Sequence, residues 1–376
     1  AVMSTLADRY GRRSIYVACV SIFALGSVLA VAAPSFWIFL LARAIQAFGA
    51  GGIFPVATAA IGDTVSAERR GAALGLVAAM WGLAAIAGPL FGGLVTHFVS
   101  WRWIFGLNFP LAVAVIVLAM RYVPTNAARV RGPLDVAGLS LLTLGLLALM
   151  CGLSQNLPSS TLAGLALLAA FAIVERRAAF PIIPPELFAR RNVAVTYALE
   201  FTIGVLEGAL FFIPTVLVAA QHLSYATAGA VAAVGAVVFV AVIPASGRAL
   251  DRVGARAVLL TGTILTAAGL AMFAFSFYSL PFSIAAMIVA GCGFGALLGA
   301  PTRYVITSET SPSHRASAVG LLSQFLIFGQ IVGASVTGGI IKFSGSQLGG
   351  FHDAYLVFAL VGLGALVITG LLRTPS

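Results

Sequence analysis

Charge is what this sequence has least of. Only 9% of its 376 residues are Asp, Glu, Lys or Arg, against about a quarter in an ordinary soluble domain. With 21 basic and 11 acidic side chains, a chain of this length cannot cover a water-exposed surface, so most of that surface must face hydrocarbon and a soluble enzyme is excluded. Lysine is nearly missing as well: Lys342 stands alone beside 20 arginines. The net charge of +10 does not point to nucleic acid, because the arginines are scattered in short loops without a basic stripe or an RNA-type aromatic motif. In such a chain loop charge is read first as membrane orientation. Cysteine is scarce too. Cys19, Cys151 and Cys292 lie far apart inside apolar runs, which excludes a disulfide framework and a metal site and leaves buried thiols as the expectation. The four histidines, His97, His222, His314 and His352, lack metal-ligand spacing. There is no phosphate-binding loop and no cluster of acid, base and nucleophile. The chain is therefore expected not to be an enzyme and to need no cofactor, so any transport must draw on a gradient.

What is present is apolar length. Hydrophobic residues make up 61% of the chain and the mean hydropathy is +1.08. A helix needs about 20 apolar residues to cross a bilayer, and runs of that order occur at 14–33, 36–61, 71–96, 104–122, 135–153, 160–175, 193–217, 227–247, 257–276, 281–303, 316–341 and 354–372. They are too long and too rich in Gly and Ala for barrel strands, so the fold class is an all-α, polytopic membrane protein. Arginines mark alternate loops: 18 basic residues fall on one face, Arg102 and Lys342 on the other, and Arg43 inside a span. By the positive-inside rule the first face is cytoplasmic. Residues 1–6 read as the tail of a further span whose beginning is absent.

An internal repeat organises these spans. The stretch at 4–13, with Asp8, Arg9, Gly11 and Arg13, recurs at 247–256 as Asp251, Arg252, Gly254 and Arg256. A second echo relates Arg70 to Gly75 with Arg315 to Gly320. Each copy opens an apolar span from the basic side, as a parallel repeat about an axis normal to the membrane requires. The expected organisation is an N-terminal lobe at 1–123, an inserted helix pair with linkers at 124–192, and a C-terminal lobe at 193–376.

At these residues the sequence resembles the major facilitator superfamily, specifically its fourteen-span drug:proton antiporter branch. The Asp8-Arg9-x-Gly11-Arg12-Arg13 loop resembles the loop that family carries between its second and third spans. Arg43-x-x-Gln46 followed by Gly49 resembles its fourth-span motif, and Gly88-Pro89-x-x-Gly92-Gly93 its fifth-span antiporter motif. Trp101 to Phe105, with Asn108 and Pro110, is similar to the stretch leading into its sixth span. The resemblance implies two pseudo-symmetric lobes that rock to give alternating access, a cell-membrane location, and exchange of protons for small lipophilic or cationic drugs. The first span of that branch carries an acidic residue used in coupling. A symporter or exporter of one nutrient or metabolite with the same fold remains an alternative, and a membrane enzyme or scaffold a remote one. Nothing in the sequence specifies accessory export proteins.

Each motif has a physical reading. Asp8 can sit at the positive end of a neighbouring helix and pair with arginines, while Gly11 permits the tight turn before the next span. Asp8, Arg9, Gly11, Arg12 and Arg13, with Asp63 and the repeat partners Asp251, Arg252 and Gly254, thus form a candidate cytoplasmic latch, or the arginines simply fix orientation. Arg43, a charge within a span, costs at least about 2.5 kcal/mol on insertion scales and should face the interior with a partner. Gln46 lies one turn away on the same face. The pair either answers to protonation or substrate, or is a hydrogen-bond hub. Gly88, Pro89, Gly92 and Gly93 combine a kink with three missing side chains, suited to close helix packing. Glu200 and Glu207 carry the sharpest signal. Seven residues apart, they lie about 20° from one direction on one helical stripe, where an apolar setting favours the neutral acid and permits reversible protonation. Glu207 is the first choice for coupling, being nearer mid-span with Gly208 beside it to leave room for solvent or ligand. Phe201, Phe211, Phe212 and Trp81 are candidate cavity aromatics, or lipid-facing residues.

Overall fold

The computed structural model describes residues 3, 6–7, 10–64, 80, 83–84, 87–88, 90–123, 136–178, 188, 190–310 and 315–372. Among these the regular structure is helical and no strand occurs. The helices are α1 (Arg12–Ala32), α2 (Phe36–Thr64), α3 (Arg102–Gly106), α4 (Asn108–Tyr122), α5 (Val136–Gln155), α6 (Pro158–Glu175), α7 (Arg191–Leu210), α8 (Ile213–Gln221), α9 (Tyr225–Ser276), α10 (Leu280–Leu297), α11 (Pro301–Glu309), α12 (Arg315–Phe343) and α13 (Gln347–Gly370). Among the described residues ten segments are long and apolar enough to cross a membrane by length and composition, and they fall on the expected runs. The run at 71–96 lies mostly outside the described residues, though residues 90–98 are helical.

One of these segments counts twice. Helix α9 has 52 residues, about 78 Å at 1.5 Å per residue, more than twice a hydrocarbon core of about 30 Å. It is broken at Gly254, whose φ of 79° and ψ of 162° are not helical. Gln221 just before the first arm donates its amide to the carbonyl of Phe277 just after the second, at 2.7 Å. The two arms therefore run antiparallel, matching the separate runs expected at 227–247 and 257–276.

The chain divides into two compact units, Ala1–Leu134 and Asp135–Ser376. In the first, α1 and α2 pack with almost no side-chain spacer. A methyl group added at Gly26 would lie 2.4 Å from the Gln46 nitrogen, and one at Gly49 2.4 Å from that of Phe23. Val20 and Ala24 of α1 meet Ala112 of α4. In the second unit, α5 and α6 form a hairpin closed at Asn156, which has a φ of 52°. Gly138, Gly145 and Gly152 are all buried on α5 and recur every seven residues. An added methyl at Gly152 would meet the backbone nitrogen of Thr161 at 2.4 Å. This hairpin lies against α12, where Gly339 faces the Leu153 carbonyl and Lys342 donates to the Gln155 side chain. Cys19 is buried and Cys292 half-buried, but Cys151 is exposed. It points away from the glycine seam of α5, so the expectation of a buried thiol fails there.

Helices α7 to α13 share one continuous core built around Leu199, Ile203, Phe273, Phe294, Tyr355 and Phe358. Two spans in this unit are discontinuous. α7 gives way to α8 at Phe211 and Phe212, and α10 to α11 between Leu298 and Ala300, with a proline in the first turn of the following helix each time. Proline lacks the amide hydrogen a continuing helix would need, so each break falls where the chain loses a donor. At the first break the Tyr355 hydroxyl donates to the Ala209 carbonyl at 3.1 Å.

Candidate functional site

Candidate residues form one polar group in each unit. In the first, the Arg43 guanidinium donates to the Gln46 side-chain oxygen, and its carbon lies 5.2 Å from the Phe105 ring centroid. Gln46 is buried, and its amide donates to the Ser27 hydroxyl at 2.6 Å. That hydroxyl donates to the Phe23 carbonyl at 2.9 Å and receives the Asn108 amide at 3.4 Å. One chain of hydrogen bonds therefore ties α1, α2 and α4 together around the intramembrane arginine. Ser27 and Asn108 were not singled out from the sequence as members of this group. A serine in an apolar run and an asparagine near a helix start have many local uses, and only the close α1–α2 approach brings them to Gln46.

In the second unit Glu200 and Glu207 share the α7 stripe. Glu200 is 6% exposed. Thr302 and Arg303, in the first turn of α11, are its polar neighbours from that helix. Its Oε2 atom is nonetheless buried without a hydrogen-bond partner. Glu207, two turns on, accepts from the Gln330 amide of α12 at 2.9 Å. The room expected beside Gly208 is not there: an added methyl would lie 2.7 Å from both the Ala334 nitrogen and the Gln330 carbonyl. Gly204 faces the Leu326 carbonyl, and from the other side Gly329 and Gly333 face the carbonyls of Phe201 and Val205. Two Gly-x-x-x-Gly pairs interlock, the arrangement that lets membrane helices approach closely, and this seam sets Gln330 against Glu207. Gln330 escaped the sequence reading because an isolated glutamine in an apolar run carries no motif.

The remaining candidates fall as follows. Asp8, Arg9, Pro89, Trp81 and the side chain of Asp63 lie outside the described residues. Gly11 is buried, Arg12 and Arg13 are half-buried, and Asp251, Arg252 and Gly254 are exposed. Gly93 is buried, whereas an added methyl at Gly88 or Gly92 would meet nothing within 4 Å. Phe201 and Phe212 are half-buried and Phe211 exposed.

Membrane-length helices with polar groups held inside apolar spans are the architecture of a polytopic membrane protein. The profile of the Major Facilitator Superfamily matches residues 1–175 and 193–376, and the chain belongs to that family. It is 32% identical over 369 residues to the uncharacterized MFS-type transporter YfiU of Bacillus subtilis, covering 93% of this chain and 70% of that protein. It is 31% identical over 308 residues to a multidrug resistance protein B homolog of Mycobacterium tuberculosis, covering 77% of this chain and 56% of the relative. In fold it is similar to the crystal structure of the nucleoside transporter NupG, with a TM-score of 0.67, 16% identity, and coverage of 100% and 86% of the two chains.

Proposed function

We propose that this transporter exports small lipophilic or cationic molecules across the cell membrane in exchange for protons, by alternating access. The observation that carries this reading is the buried, unpartnered oxygen of Glu200 on a stripe with Glu207. An ionised carboxylate in an apolar interior is costly unless its charge is met. A proton can meet it, and so can the positive charge of a substrate, and the two compete for one site. Competition of that kind is the minimal chemistry of exchange. Arg43 and Gln46 supply a second intramembrane charge held by hydrogen bonds, and the stripe of Gly88, Pro89, Gly92 and Gly93 a seam that other helices can close upon. Relatives named for multidrug resistance or multidrug transport support the substrate class. The latch assigned to Asp8, Asp63 and Asp251 with the neighbouring arginines belongs to the same proposal.

The test uses the native full-length protein in inside-out vesicles with an acidic lumen and a panel of lipophilic cations. Accumulation that collapses on adding a protonophore is the expected result. Accumulation indifferent to the gradient, or uptake of a solute in the same direction as the proton, overturns proton-for-drug exchange.

A further inference from the structure

We propose that Gln330 is a positioning residue that pairs with Glu207 in both of its protonation states and so passes the state of the α7 stripe to α12. This rests on the reading of that stripe as the proton-coupling element, but it assigns a role to a residue on another helix.

The polar side chains of α12 set Gln330 apart. Ser335 and Thr337 donate to the carbonyls of Ile331 and Gly333, four residues back on their own helix. Gln330 instead reaches across the seam to a carboxylate. The groups around Glu207 leave it no other described charge partner. Its own helix offers Glu200, an acid about 10 Å away along the axis at 1.5 Å per residue. Helix α13 offers the Tyr355 hydroxyl, which is taken by the Ala209 carbonyl. Helix α11 offers Arg303, which acts on Glu200, and Glu309, which accepts from Asn192 at 2.6 Å. Between Arg315 and Lys342, α12 itself carries no charged residue.

A primary amide is suited to that position because it has both a donor and an acceptor. When Glu207 is ionised it accepts the Nε2 hydrogen, and the amide nitrogen lies 2.9 Å from its Oε2. When a proton from water adds to the carboxylate, the acid becomes a donor, and half a turn of the amide presents Oε1 to receive it. In each state the amide offers Glu207 the complementary group, whereas an ammonium would serve only the ionised state and an apolar side chain neither, at the greater cost to the charged one. Because the interlocked glycines allow no spacer between α7 and α12, the reorientation occurs at a backbone contact rather than in open solvent.

The experiment measures the pH dependence of lipophilic-cation export by the native full-length protein carrying Gln330→Met or Gln330→Lys, with membrane content quantified. Gln330→Met withdraws the donor from the ionised form and should move the pH midpoint upward by about one unit, equivalent to about 1.4 kcal/mol. Gln330→Lys holds the ionised form and should move it downward. Gln330→Asn, the milder change, should retain function with a smaller upward shift, and it keeps the idea testable where the others fail to insert. Midpoints unchanged, or displaced in one common direction for Met and Lys, overturn the role of Gln330. If export still depends on Glu207 in that event, the proton-coupling reading stands without it. If Glu200→Gln and Glu207→Gln both leave pH-driven export intact, that reading itself is what fails.

Discussion

At the scale of single residues, the two acids are alike in spacing but not in surroundings. Glu207 has its amide partner, while Glu200 keeps one buried oxygen unpartnered. Mid-span position favours Glu207 from sequence, but the covered face of Gly208 removes the argument from free space and shifts the first expectation to Glu200. Glu200→Gln should abolish pH-driven export while the variant still reaches the membrane. Substrate binding, which weakens in the parent as pH falls because protons compete, should become flat with pH. Full pH-dependent export by both Gln variants would make the two residues structural. The Ser27 group calls for a different measurement. Its hydroxyl accepts from both Gln46 and Asn108, and side-chain hydrogen bonds between membrane helices average about 0.6 kcal/mol. Ser27→Ala should therefore cost about 1 kcal/mol in thermal unfolding of the detergent-solubilised protein, and no measurable loss would show that the network merely tolerates Ser27.

Among elements, the seam between α7 and α12 is the most constrained. An added methyl at Gly204 would lie 2.1 Å from the Leu326 carbonyl oxygen, and backbone cannot give way as a flexible side chain can. Gly204→Ala should prevent normal assembly, seen as loss of folded protein after solubilisation. Gly364→Ala on α13, where nothing lies within 4 Å, should be neutral or stabilise by up to about 1 kcal/mol through helix propensity. Equal behaviour of the two would refute close approach as the reason for Gly204. Gly88 is also open, so Gly88→Leu should insert normally, and the proposed seam predicts impaired export; parental transport rates would reject that seam. These contrasts show what was legible in sequence. Span positions followed from run length, because hydrocarbon thickness sets a single length scale, and even the double element α9 was separable through the charges around Gly254. The partners Gln330, Ser27 and Asn108 were not legible. Their roles depend on which glycine faces which helix, and the composition of one helix does not encode its neighbour.

For the whole molecule, the repeat is the organising fact, and it is mechanical as well as textual. Gly11 and Gly254, matched by the repeat, are the glycines with positive φ among the described residues, at 98° and 79°. Two residues on, Arg13 donates to the Ala119 carbonyl near the end of α4 at 3.4 Å, and Arg256 to the Gly370 carbonyl at the end of α13 at 3.0 Å. In each unit, then, a glycine bend opens a helix and the arginine after it meets the carbonyl end of that unit's last helix, where a cation is favoured. An L-residue in this extended positive-φ region, which is essentially glycine-only, costs about 1–3 kcal/mol, so Gly11→Ala and Gly254→Ala should each destabilise by that amount. Among the described residues the two bends have no hydrogen-bond partner in common, so the double variant should lose the sum of the single effects. Arg13→Ala and Arg256→Ala should each lower thermal stability by less, about 0.3–1 kcal/mol for a cation at a helix terminus, and the loss should shrink in high salt. If one member of either pair proved indifferent while its counterpart was costly, the repeat would be an echo of sequence alone, and the paired bend-and-brace geometry would have no common mechanical role.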